Sequence, residues 1–95
     1  MRTIREDDEV VEFFEKMAGR YPRLVDAWER GWQWRLSRDP FEDAHAVNIP
    51  GIAETYFLLK TRPEFGQYGV PSITLLFTVT ETMVCVVGVQ LTNLG

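Results

Sequence analysis

Ser72-Ile73-Thr74-Leu75-Leu76-Phe77-Thr78-Val79 alternates: Ile73, Leu75, Phe77 and Val79 fall on one side, Ser72, Thr74 and Thr78 on the other, and only Leu76 breaks the rule. Side chains of a strand leave it on opposite faces with a period of two, so the stretch reads as a strand with one buried face. After Thr80-Glu81 comes Thr82-Met83-Val84-Cys85-Val86-Val87-Gly88-Val89-Gln90-Leu91, with Met83, Cys85, Val87, Val89 and Leu91 on one face and Val84, Val86, Gly88 and Gln90 on the other. Being apolar on both faces, it is expected to be central or covered twice. Upstream, Thr55-Tyr56-Phe57-Leu58-Leu59-Lys60 is a third run rich in aromatic and aliphatic residues.

The link Thr80-Glu81 suits a tight hairpin or a slightly longer loop. The segment Pro63 to Pro71, with two Pro and two Gly, reads as a long loop. Neither link holds a crossover helix, so an antiparallel meander is expected.

The residues before this sheet are patterned as helices. Val10, Phe14, Met17, Ala18 and Tyr21 recur at helical spacing, and the acidic run Glu6-Asp7-Asp8-Glu9 sits where a helix start favours negative charge. Gly19-Arg20-Tyr21-Pro22 stops this helix and starts another, because Gly suits a C-terminal cap and Pro a first turn. The second helix is expected from about Pro22 to Ser37, with Leu24, Val25, Trp28, Trp32 and Leu36 as its apolar stripe and Asp26 paired to Arg30 on the wet side. Gly31 inside it costs about 1 kcal/mol relative to Ala, which predicts close packing there. Trp28 and Trp32 share a face and read as core, whereas Trp34 points elsewhere and is a candidate partner contact. Ser37-Arg38-Asp39-Pro40 ends the helix. The stretch Phe41 to Gly51 is expected to be irregular, turning at Pro50-Gly51, with a short turn or an edge strand at His45-Ala46-Val47-Asn48. His45, the single histidine, reads by default as a solvated loop residue.

A chain of 95 residues with 45% apolar content suits one domain spanning residues 1–95. It has no apolar run of the roughly 20 residues that span a bilayer, and Met1-Arg2-Thr3-Ile4-Arg5-Glu6-Asp7-Asp8 lacks the apolar region of a signal peptide, so the expected location is the cytoplasm, away from membranes. Cys85 stands alone and reads as a small apolar residue; one Cys and one His make no zinc cluster, and no cofactor is expected. Fourteen acidic residues against ten basic ones give a net charge of −4, the wrong sign for a protein chiefly devoted to phosphate backbones. All Lys and Arg fall at or before Arg62.

Two helices in a hairpin followed by a meander, carrying Trp34-Arg35-Leu36-Ser37-Arg38-Asp39-Pro40, Tyr56-Phe57-Leu58-Leu59-Lys60-Thr61-Arg62 and Ile73-Thr74-Leu75-Leu76-Phe77-Thr78-Val79, resembles the RelE/ParE superfamily of bacterial toxins from about Val10 to Leu91. The resemblance implies an α+β fold in which an N-terminal α-helical hairpin packs on a three- to four-stranded antiparallel sheet. It implies a toxin of a bacterial or phage toxin–antitoxin module with an antitoxin protein as partner, and, in one branch of the family, ribosome-dependent cleavage of mRNA. Lys60 and Arg62 match the basic strand positions of that branch, which makes them the candidate catalytic pair; at i and i+2 they share a face with Tyr56 and Leu58. Trp34 and Tyr56 are the candidate partner-binding residues. The chain departs from the family pattern at its end, where Val86 to Gly95 contains none of the Arg, His or Tyr that cleaving members carry. Cleavage needs a base, positive charge for the phosphate and an acid, so groups elsewhere would have to replace the missing ones; His45 and Tyr68, both in expected loops, are candidates that nothing in the sequence places near Lys60. The alternative is a non-catalytic interaction module or a homodimer of the same fold.

Overall fold

A computed structural model of the chain describes residues 1–63 and 69–92. It opens with a strand, β1 (Thr3–Glu6), followed by α1 (Asp8–Arg20), α2 (Pro22–Ala27), a π-helical turn (Trp28–Trp32) and α3 (Gln33–Arg38); then come β2 (His45–Asn48), β3 (Thr55–Lys60), β4 (Ile73–Val79) and β5 (Met83–Leu91). The strands form one five-stranded sheet in the order β1-β5-β4-β3-β2. The pairs β2–β3, β3–β4 and β4–β5 are antiparallel, and β1 runs parallel to β5.

This corrects the expected fold. A helical hairpin does not come first, and the sheet is neither three- to four-stranded nor wholly antiparallel. The strand that makes the difference, Thr-Ile-Arg-Glu, has one apolar residue and two charges, so it has no periodicity to read. Its backbone is satisfied by β5: Thr3 N–H donates to the Thr82 carbonyl at 2.9 Å and Asp7 N–H to that of Val86 at 3.0 Å. The expectation of an edge strand at His45–Asn48 corresponds to β2.

The helices cover one face of the sheet. Val10, Phe14, Leu24, Trp28 and Leu36 meet Leu59, Ile73, Leu75, Phe77, Val84 and Val86 in a single core. The inward residues of β4 are those its alternation predicts. In β5 a bulge intervenes: Leu76 pairs with Gly88 but Phe77 pairs with Val86, leaving Val87 as the extra residue. The inward set therefore takes Val84 and Val86 from one expected face and Val89 and Leu91 from the other. The hairpin link is the longer alternative, closed by Thr80 N–H donating to the Met83 carbonyl at 2.8 Å and Met83 N–H donating to Thr80 Oγ1 at 3.0 Å.

The π-helical turn explains the layout of the second helical segment. Gln33 N–H donates to the Trp28 carbonyl, one residue further back than in an α-helix. That wider turn brings Trp28 and Gln33 onto one face, where Trp28 Nε1–H and Gln33 Nε2–H both donate to Glu6 Oε1 at 2.8 Å. Gly31 departs from expectation: it is exposed, and a Cβ built on it would meet nothing within 4 Å. It faces solvent and packs against neither the first helix nor the sheet.

No helix of the described residues lies over the opposite sheet face. Across it lie Val47, Tyr56, Leu58, Leu76, Met83 and Cys85, all half-buried. Beside Gly88 lies a cavity of about 300 Å³ lined by Leu58, Thr74, Leu76 and Gln90 from the strands and by Glu9 from the first turn of α1. A Cβ at Gly88 would lie 3.5 Å from the Leu76 Cβ, an ordinary contact. Gly88→Ala is therefore expected to stabilise the protein by about 0.5–1 kcal/mol, since glycine in a strand interior loses more freedom on folding. Thermal unfolding should rise by about 2–6 °C; a fall would show that the cavity must stay open.

Candidate functional site

β2 is shorter than the strand it borders. Its first residue, His45, pairs with Leu58, whereas β3 continues to Lys60, held on its other side by Thr74. The chain leaves the sheet before His45 because residues 41–44 form a turn. Ala44 N–H donates to the Phe41 carbonyl at 3.2 Å, Phe41 N–H donates to Asp39 Oδ1 at 3.1 Å, and Asp43 adopts a left-handed φ of 61°, which Asp tolerates better than most residues. Arg35 anchors the turn from α3, its guanidinium 2.7 Å from Asp43 Oδ2 and 3.4 Å from Glu42 Oε2.

Among the described residues the edge of β3 from Leu59 onward is thus left unpaired, and a cavity of about 710 Å³ lies along it. Its walls are Trp32 and Arg35 from the helical segment, Asp43 and His45 from the turn and β2, and Leu58, Leu59, Lys60 and Arg62 from β3 and its extension. The cavity straddles the edge. Leu59, Trp32 and Arg35 lie on the helix side, while His45, Leu58 and Lys60 belong to the opposite face by register and alternation.

The cationic groups here are not equivalent. Arg35 is neutralised by Asp43 and Glu42 and lies 5.0 Å from the centroid of the Trp32 ring. Lys60, Arg62 and His45 have exposed residues and make no side-chain hydrogen bond or ion pair to any described residue. An acidic chain therefore gathers, in one recess, two cations with no carboxylate partner among the described residues, Lys60 and Arg62, beside the imidazole of His45, an arrangement suited to an anion with several oxygens.

The expected catalytic pair, Lys60 and Arg62, is brought together here, and His45, expected in a solvated loop, joins it from the neighbouring strand. Tyr68 lies outside the described residues. Trp34 and Tyr56, the expected partner contacts, are separated by the fold. Trp34 is 56% exposed on α3 under the Arg38 guanidinium, whereas Tyr56 is half-buried on the uncovered sheet face opposite Val47. Trp32 and Arg35 were not singled out for this site. Their three-residue spacing on a helix puts them on a common face, and that was the available signal.

No helix among the described residues is long and apolar enough to cross a membrane. Comparison of the chain with protein-family models, with characterised proteins and with solved structures finds no match.

Proposed function

We propose that the protein is a toxin-like effector of a bacterial or phage toxin–antitoxin module, acting in the cytoplasm through the basic recess at the open edge of β3 and held off by a protein antitoxin. The observation that carries this reading is the convergence of Lys60, Arg62 and His45, without neutralising partners among the described residues, in a chain of net charge −4. Basic charge so placed binds the phosphates of a nucleic-acid strand. A ribose 2′-OH presented there meets an imidazole that can take its proton and two cations for the phosphate, which favours RNA cleavage as a second reading. The later strands supply no further acid–base group, since β5 ends in Val-Val-Gly-Val-Gln-Leu.

The test is induced expression in a bacterial host of the wild type, of Lys60→Ala with Arg62→Ala, and of His45→Gln, each checked for folding. The wild type should arrest growth and the double variant should not. Binding of single-stranded RNA by the double variant should weaken, and its slope of log affinity on log salt should be shallower by about 1.4, two phosphate contacts at about 0.7 each. Arrest that persists in His45→Gln identifies binding as the toxic act, and arrest lost with RNA binding retained identifies cleavage. A double variant as toxic as the wild type would overturn the assignment.

A further inference from the structure

We infer that the open edge of β3 receives an extended, acidic segment of a protein partner as an added strand, its carboxylates lying against Lys60, Arg62 and His45. This rests on the reading of the recess as the working surface of a protein restrained by a partner.

The backbone points to a polypeptide. Thr61 N–H donates to the Ile73 carbonyl at 2.9 Å. Along an antiparallel pair, successive residues turn their N–H and C=O alternately toward one neighbour and the other. Thr61 faces β4, so Lys60 presents both its N–H and its C=O to the other side, where β2 has already ended. Those two groups open onto the recess. A nucleic-acid phosphate can accept from the N–H but offers nothing to the carbonyl, whereas an extended peptide satisfies both.

The charge determines what kind of peptide. An added strand would send alternate side chains to the two sides of the sheet. On one side they would meet Lys60, Arg62 and His45, which have no side-chain partner among the described residues, and on the other Trp32 and the already neutralised Arg35. Carboxylates spaced by two residues fit the first side, and uncharged or aromatic residues fit the second. The same charges disfavour a second copy of this chain, because edge-to-edge pairing about a two-fold axis would set Lys60 and Arg62 near their own counterparts. An edge left bare invites uncontrolled pairing, and basic side chains restrict it to acidic strands.

The experiment titrates the isotope-labelled full chain with a capped peptide of alternating glutamate and threonine, following amide hydrogen exchange residue by residue. The Lys60 amide should exchange about tenfold more slowly or less at saturation, as a ladder bond requires. A peptide of the same sequence with its glutamates N-methylated, which keeps the charge but removes the N–H groups that would face Lys60, should leave it unprotected, and Lys60→Ala with Arg62→Ala should abolish binding. No effect at millimolar peptide, equal protection by the N-methylated peptide, or undiminished binding to the double variant would each overturn the inference. Binding of labelled oligouridylate is measured alongside. If RNA binds through Lys60 and Arg62 while the peptide leaves the Lys60 amide exposed, strand addition fails and the proposed function stands. If the peptide protects Lys60 while RNA does not bind and induced cells grow normally, strand addition stands and the toxin reading fails.

Discussion

Trp28→Ala should lower the midpoint of thermal unfolding by at least about 15 °C. Trp28 is 1% exposed, stacks on Phe14 with ring centroids 4.9 Å apart, and donates to Glu6. Truncating a fully buried tryptophan costs about 3–5 kcal/mol, because the contacts are lost and the cavity closes only in part. A domain of this length has about 5–14 kcal/mol in total, so the loss is a large share of it. The variant also deprives β1 of one of its two links to the helical segment through Glu6, leaving Gln33 alone. Trp34→Ala is the control: Trp34 is 56% exposed, and a surface truncation of this kind shifts stability by about 0.5 kcal/mol or less. Equal losses in the two variants, followed by circular dichroism, would contradict the placement of the two tryptophans.

Phe77→Ala beside Leu76→Ala tests the two faces of the sheet from adjacent positions. Phe77 is fully buried and stacks with Phe57 at 5.8 Å, and its removal should cost about 3–5 kcal/mol. Leu76 is half-buried on the uncovered face opposite Gly88, so its truncation should cost about 1 kcal/mol, roughly half the value of a buried leucine side chain. Urea midpoints at constant slope would give both numbers. A Leu76→Ala loss approaching that of Phe77→Ala would mean that something covers this face in solution, and its dependence on protein concentration would tell whether that is a second copy.

What could be read from the sequence follows the strength of local periodicity. The alternation in Ile73–Val79 and the helical spacing of Val10, Phe14 and Trp28 are legible because one face of each element is buried and the other wet. β1 was missed because four residues with two charges leave no such contrast; its identity comes from β5, which is remote in sequence. The mixed inward set of β5 depends on a bulge at Val87, and a run of valines looks the same on either face. The π-helical turn depends on a shared acceptor, Glu6, supplied by another element. For the site, the i, i+2 spacing of Lys60 and Arg62 on a strand was visible. Their meeting with His45 was not, because it depends on where β2 stops and how Asp43 and Arg35 hold the turn before it.

The pairing of β1 with β5 also bears on the order in which the protein can form. Thr3, near the beginning of the chain, finds its sheet partner only at Met83, after every helix and the other strands have been made. Closing that contact spends loop entropy late, so the sheet should be completed in a slow, end-to-end step rather than element by element. Until β5 has left the ribosome, β1 has no strand to join, and the acidic Glu6 cannot yet reach Trp28 within a finished sheet. Between the emergence of β3 and that of β5 there is an interval in which a partner can meet the open edge of β3 before the sheet is complete.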